Sequence, residues 1–352
     1  MPLVKSSNQI TKDLEELLSR SASDLRSWEE KNLLITGGTG FFGKWLLETF
    51  RFARETGQMR FGHIYVLSRN PDSFIRDFPH LKDFDFVQGD IRSFKFPNKK
   101  IHGLIHGATS ASAKLNSEEP QEMYDTIVEG TRRAIQCAKD SPGCRFLMLS
   151  SGAVYGKRHL NDGLSNEEEF NFSDHAKLGD AYADGKREAE RLTVSPEFNG
   201  SAVIARCFAF VGPYLPLREH FAIGNFISNV LEGEEILIKG DGSPRRTYLY
   251  ASELVGWLLA LFSRGKQNQP YNVGSKNLVS IEEVAKLVCE EASKQGLKQV
   301  SIKILEKATA GAQVPCYAPS IQRVESELGL RCKISLGEAI GRTIKYHLEK
   351  GY

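Results

Sequence analysis

Apolar residues along this chain fall either in short solid runs or at helical spacing, and the two kinds of segment take turns. Leu33-Leu34-Ile35 is a solid run that breaks at Gly37-Gly38-Thr39-Gly40 and resumes from Phe41 to Phe50 with a helical period. Run, glycine break and period predict a strand, a tight turn and a helix. Further strands are predicted over His63-Ile64-Tyr65-Val66-Leu67 and residues 84–87, 101–105 and 145–149, with helices over about 120–140 and around Tyr182. Such alternation predicts a parallel α/β sheet. Leucines 14, 17, 18 and 25 among charged residues predict an amphipathic helix or two within residues 8–29, read as a packing extension. In the second half, helices are expected over 221–231, 252–262 and 336–348, and strands over 235–238 and within 301–317.

At 352 residues the chain suits one large or two associated domains with ample core. A net charge of +2 gives no broad footprint for nucleic acid. No apolar stretch approaches the roughly 20 residues needed to cross a bilayer, so no membrane association is expected. Residues 1–30 are too polar for a secretory signal. The six cysteines lack a CxxC pair or a metal-ligand spacing, which points to buried thiols and no metal. A cytoplasmic location is the simplest expectation.

The glycine turn carries the first chemistry. Gly37, Gly40 and Gly43 suit a positive φ, a close approach to a pyrophosphate and a helix lying tight on its strand. The helix starting at Phe41 and Phe42 offers free N–H groups and a positive dipole end to an anion. The second strand ends at Ser68-Arg69-Asn70 with no carboxylate, where a dinucleotide fold meets the adenosine ribose. Ser68 with Arg69 can accommodate a 2′-phosphate, which favours NADP modestly over NAD; Arg69 as a solvated residue or stacked on adenine stays open. Asp90-Ile91 and His106-Gly107-Ala108 stand at the tips of the next two strands, where such sheets bind ligands. His106 reads as a packed histidine beside the cofactor. The fifth strand runs into Ser150-Ser151-Gly152-Ala153-Val154-Tyr155-Gly156, and Tyr182 and Lys186 follow at i and i+4, on one helix face. The ammonium is expected to lower the phenol's pKa and to reach a ribose hydroxyl.

With these stretches in this order, together with Arg206-Cys207-Phe208, Val211-Gly212-Pro213, residues 240–246 and Tyr271-Asn272-Val273-Gly274, the chain resembles the extended short-chain dehydrogenase/reductases, in particular the nucleotide-sugar epimerases and dehydratases. The resemblance implies a Rossmann-type doubly wound parallel sheet with a smaller C-terminal α/β substrate-binding domain. Residues 1–30 would form the N-terminal helical extension, 31–200 the dinucleotide-binding domain and 201–352 mainly the substrate domain. It implies NAD or NADP as cofactor and a nucleotide-diphosphate sugar as substrate. A homodimer would form through helices near 120–140 and 176–194. Ser151 becomes the hydroxyl that bonds the sugar oxygen, Tyr182 the acid/base, and Lys186 its partner and ribose ligand. On the substrate side stand Asn225 and, for the diphosphate, Arg246, with Arg245 adjoining it.

The departures bear on the reaction. Sugar 4,6-dehydratases and the decarboxylases of the family usually carry acids just after the catalytic hydroxyl; here stand Gly152 and Ala153, which cannot titrate. Glu167, Glu168, Glu169 or Asp174 could substitute. Ile127 and Ala209 replace the family's usual asparagines. A 4-epimerase is therefore expected first, the small residues 152 and 153 leaving room for a keto-sugar to rotate. The alternatives are a reductase of 4-keto-6-deoxy sugars using NADPH, a 4,6-dehydratase and, less favoured, a non-catalytic nucleotide-binding regulator.

Overall fold

The computed structural model describes residues 7–109, 113–169, 180–198, 200–219, 221–309 and 311–352. Asp174 therefore lies outside the described residues.

Seven strands form one wholly parallel sheet: β1 (Leu33–Thr36), β2 (Ile64–Ser68), β3 (Asp85–Gln88), β4 (Gly103–His106), β5 (Arg145–Ser151), β6 (Ser201–Cys207) and, after four short strands of the second lobe, β11 (Gln269–Val273). Their spatial order is β11-β6-β5-β4-β1-β2-β3. β1 and β4 are buried at every position while the edge strand β3 is not, as expected where helices cover both faces of a parallel sheet. The order reverses direction at β1 and β4, which opens a crevice at their carboxyl ends. β6 and β11 come from beyond residue 200, so the large sheet draws strands from the half expected to serve mainly the substrate.

Helices α2 (Phe41–Glu55), α3 (Pro71–Asp77), α4 (Ala113–Glu118), α5 (Pro120–Lys139), α6 (Ala181–Thr193) and α8 (Ala251–Arg264) connect or cover these strands. Helices α5 and α6 lie close because Gly185 faces Ile127, against which an added Cβ would stand at 3.1 Å. The apolar Ile127 thus takes up helix packing where an asparagine was expected.

The second lobe contains β7 (Phe210–Val211) paired with β10 (Leu249–Tyr250), β8 (Ile236–Ile238) with β13 (Ile302–Ile304), and a three-stranded sheet of β12 (Val279–Ser280), β9 (Arg245–Arg246) and β14 (Cys316–Tyr317). The single strand expected within 301–317 is therefore two strands, each paired to a different partner. Helices α7 (Ala222–Glu232), α9 (Ile281–Lys294) and α11 (Leu336–Glu349) complete it, whereas α10 (Gln322–Leu328) packs its Val324 into the main core beside β11.

The N-terminal extension is one helix, α1 (Asn8–Arg26), capped by Ser7, whose side chain accepts from the Ile10 N–H. Its leucines pack into the main core, and Trp28 stacks on Phe262 of α8 with centroids 3.9 Å apart. Its buried Asp13 accepts from the Tyr250 hydroxyl and from Arg342 of α11, each at 2.6 Å. One helix thus ties the large sheet's α8 to the chain's last helix. All six cysteines are free, and no helix among the described residues is long and apolar enough to cross a membrane.

Candidate active site

The crevice at the switch point has two walls. On the first, β1 is followed by Gly37 at φ +74°, and a Cβ there would stand 2.6 Å from the Gly107 backbone. At Gly43 a Cβ would meet the Gly38 backbone at 2.3 Å, so α2 lies directly on the turn. Gly40 caps α2 without a side-chain bond, leaving the first helical N–H groups to an incoming anion. Phe41 and Phe42 anchor this helix start; Phe42 meets Phe210 edge-on at 5.1 Å. This cradle fits a dinucleotide pyrophosphate, because backbone stands where side chains would otherwise exclude it.

Thr36 and His106 lock the cradle from below. The Thr36 hydroxyl accepts from the Gly107 and Ala108 N–H groups at 3.2 Å and pairs with His106 Nδ1 at 2.8 Å. His106 Nε2 reaches the Thr131 hydroxyl at 3.1 Å. Burial, with the Lys186 charge nearby, pushes the imidazole down to about 3, so it is neutral. His106 is a packed histidine, as expected.

At the tip of β2, buried Ser68 accepts from the Asn70 N–H at 3.2 Å while Arg69 is exposed. Asp90 is held by Arg92 at 2.9 Å, which in turn pairs with Glu122. Hydrogen bonds from Arg92, opposed by some burial, hold its carboxyl below the ordinary range, and the Arg69 charge adds to this. Ile91 is buried against Gly130.

The second wall begins where β5 runs into Ser151. Asp180 caps α6 by accepting from the Tyr182 and Ala183 N–H groups, and Asn116 also accepts from Tyr182 at 2.9 Å. This fixes the helix that carries Tyr182 and Lys186. The structure brings Ser151, Tyr182 and Lys186 together. Burial pushes the Tyr182 phenol up to about 12, with the hydrogen bond to Ser151 pulling the other way. Burial brings the Lys186 ammonium down to about 8, countered by Cys207 and Glu190. The expected lowering of the phenol by the ammonium is not met. Lys186 donates to the Leu149 carbonyl at 2.9 Å, and its nitrogen lies 5.8 Å from the Tyr182 ring centroid.

Beneath this strand lies a buried polar network. Glu190 accepts from Ser150 and from Arg206 at 2.8 Å; Arg206 donates to the Tyr155 hydroxyl at 2.9 Å, which donates to Asn272 Oδ1 at 2.8 Å. Each polar partner is satisfied, which lets a buried charge pair persist and holds β5, β6, β11 and α6 in one frame.

Two expectations about the sugar side are corrected here. Gly152 does not leave open room, because a Cβ there would stand 2.7 Å from the Phe208 ring, which occupies that space. Of the carboxylates offered as substitutes, the three among the described residues have partners elsewhere. Glu167 accepts from the Asn272 N–H at 2.8 Å, Glu168 pairs with Arg323, and Glu169 pairs with Arg158 at 2.7 Å.

Among the residues expected on the substrate side, Asn225 lies half-buried in the first turn of α7. Arg245 pairs with Glu283 at 2.8 Å, whereas the Arg246 guanidinium lies 5.8 Å from the Tyr317 ring centroid. Tyr317 is the residue that the sequence did not reveal. Its hydroxyl stands 3.4 Å from Ser151 Oγ and its ring packs on Phe208 at 4.8 Å. It lies 166 positions from the serine and in no motif.

Residues 33–274 match the NAD dependent epimerase/dehydratase family, and the chain belongs to that family of enzymes. UDP-glucuronic acid decarboxylase 1 of Xenopus tropicalis is 26% identical over 320 residues, 90% of this chain and 72% of that protein. An epimerase from Methanothermobacter thermautotrophicus shares the fold with a TM-score of 0.75 at 20% identity, covering 95% of this chain and 96% of that one. A dTDP-glucose 4,6-dehydratase from Streptomyces venezuelae, solved with NAD bound, superposes with a TM-score of 0.72 at 21% identity over 90% of this chain and 97% of that one.

Proposed function

We propose that this enzyme transfers hydride at C4 of a nucleoside-diphosphate hexose and that its reaction is 4-epimerisation. The observation that carries this reading is the composition of the wall at Ser151. Two phenols and an ammonium gather there, while Gly152 and Ala153 stand where an elimination would need titratable groups and Glu167, Glu168 and Glu169 are bonded elsewhere.

The turn at Gly37, Gly40 and Gly43, with the N–H groups of Phe41 and Phe42, would hold the cofactor's pyrophosphate. Ser68 and Arg69 would meet the adenosine ribose, Asp90 and Ile91 the adenine, Ala108 the crevice floor, and Tyr182 with Lys186 the nicotinamide ribose. A nicotinamide cofactor, when bound, supplies the acceptor and donor of hydride. Tyr182 exchanges the proton of the C4 hydroxyl, and Ser151 donates to that oxygen as charge develops on it. Arg246 rather than Arg245 would clamp the diphosphate, because Arg245 already has a carboxylate partner. Asn225 would face the nucleotide side.

A second reading, reduction of a 4-keto-6-deoxy sugar with free NADPH, is favoured by one feature: Ser68 and exposed Arg69 at the β2 tip, without a carboxylate on either residue. We further propose a homodimer through α5 and α6, testable by light scattering. The deciding experiment is the absorbance spectrum and released-cofactor identity of the purified protein, followed by a panel of UDP- and dTDP-hexoses. Tightly held NAD, transiently reduced and returned as product forms, is expected. An empty site that oxidises NADPH only with a keto-sugar would replace the first reading by the second.

A further inference from the structure

A serine hydroxyl has one hydrogen and two lone pairs. At Ser151 the Ala153 N–H occupies one lone pair at 3.2 Å. The Tyr317 hydroxyl stands 3.4 Å from the same oxygen, and Tyr182 is bonded to it from the catalytic helix. We propose that Tyr317 is a positioning residue for hydride transfer: its phenol donates into the second lone pair of Ser151, so that the serine's single hydrogen points at the substrate oxygen shared with Tyr182. The inference rests on the reading of Ser151 and Tyr182 as the hydride-transfer pair.

The mounting of Tyr317 suits this task. It lies on β14 in register with Arg246 of β9, so the ring spans from the arginine offered to the diphosphate to the catalytic serine. One face packs on Phe208, the ring that also covers Gly152, and the Arg246 guanidinium lies on the ring at 5.8 Å. The strand is pinned at its start by the Cys316 N–H donating to the Arg158 carbonyl at 2.9 Å and by the Arg245 N–H donating to the Pro315 carbonyl at 2.7 Å. Burial raises the Tyr317 phenol well above its ordinary range, which keeps it a donor at every pH the enzyme would work at. A hydroxyl held on a strand between two packed neighbours is placed more narrowly than one on a loop. A 3.4 Å separation without substrate is compatible with a bond that tightens when substrate is bound.

The test is a double-mutant cycle in the full-length, cofactor-loaded protein with Tyr317→Phe, Ser151→Ala and both, read as kcat and KM on the hexose identified by the panel, with melting temperatures for each. Phe retains the ring and its packing on Phe208 and Arg246. Tyr317→Phe is expected to lower kcat about tenfold with KM and melting temperature unchanged. In the Ser151→Ala background it should lower kcat no further, because no hydroxyl remains to be oriented. Should Tyr317→Phe melt lower than the parent, 3-fluorotyrosine at 317, which keeps the O–H, should hold the rate within about twofold. Full activity in Tyr317→Phe, losses that multiply in the double variant, a rise in KM alone, or a 3-fluorotyrosine rate as low as that of Phe overturns the inference. If the parent is active and Tyr182→Phe is not, any of those results sinks Tyr317 alone. A parent that reduces no cofactor with any sugar of the panel overturns the functional reading and this inference with it.

Discussion

Around Gly37 to Gly43 the contacts are backbone against backbone: a Cβ at Gly37 would strike Gly107, and one at Gly43 would strike Gly38. Around Ser151 they are side chain against side chain, with Phe208 over Gly152, Tyr317 on Phe208 and Arg246 on Tyr317. The first wall is main chain from the β1 turn and from the tip of β4, which has little freedom to shift. The second is assembled from β5, β9, β14 and the residue after β6, and what faces Gly152 there is the end of a side chain rather than main chain. In the proposed function this difference would give one wall a fixed, general task and the other the choice of substrate.

The comparison is tested hardest at the chemistry the walls share. Tyr182→Phe removes only the phenolic oxygen, so turnover should fall about 10³-fold while cofactor affinity stays within error. Stopped-flow reduction of bound cofactor together with fluorescence titration would read both. Near-normal turnover would remove Tyr182 from the role of acid/base.

A smaller effect separates the walls from each other. Gly43→Ala sets a methyl 2.3 Å from main chain that cannot yield, whereas Gly152→Ala sets one 2.7 Å from the end of a phenyl ring that can. Gly43→Ala is expected to cost about 3 kcal/mol, the upper end of overpacking, and to abolish cofactor binding; Gly152→Ala should cost about 1 kcal/mol, leave cofactor binding intact and reduce kcat several-fold. Calorimetric melting with cofactor titration decides it, and equal losses at the two glycines would end the distinction.

How much of this could be read from the sequence divides along the same line. The glycine turn, the serine at a strand end and the Tyr182–Lys186 pair are local spacings, and a local spacing survives in the fold because three or four residues determine it. Tyr317, Phe208 and the network from Glu190 to Asn272 depend on which strands pair, and no spacing within one segment encodes that. Even the local pair was half legible: i to i+4 places Tyr182 and Lys186 on one face, but the ammonium is drawn to the Leu149 carbonyl, and burial, which no spacing reports, raises the phenol.

Lys186 makes a pH prediction with a definite sign. Its ordinary value of 10.5 falls to about 8 in the fold, so the proton is lost on the alkaline side as pH rises through about 8. Below that the ammonium is present and can hold a ribose hydroxyl; above it the group is neutral and turnover should decline about tenfold per pH unit. A pH–kcat profile flat from 7 to 10 would show that the charge on Lys186 is not needed.

The smallest expected effect lies at the far end of the cofactor wall. Ser68 ends β2, buried, with its oxygen accepting from the Asn70 N–H, and Arg69 beside it is exposed. An aspartate at 68 can keep that acceptor bond, so the turn into α3 should survive Ser68→Asp. What changes is charge: a carboxylate repels a 2′-phosphate and accepts from a 2′-hydroxyl. The ratio of NADP to NAD affinity should therefore fall by about tenfold, an interaction of roughly 1–2 kcal/mol discounted for the exposed Arg69. Isothermal titration with each cofactor measures the ratio directly. An unchanged ratio would mean that the ribose is met elsewhere, with Arg92 and Asp90 on the neighbouring strand tip as the groups to change next, since they already form a charged pair 2.9 Å apart at the same edge of the crevice.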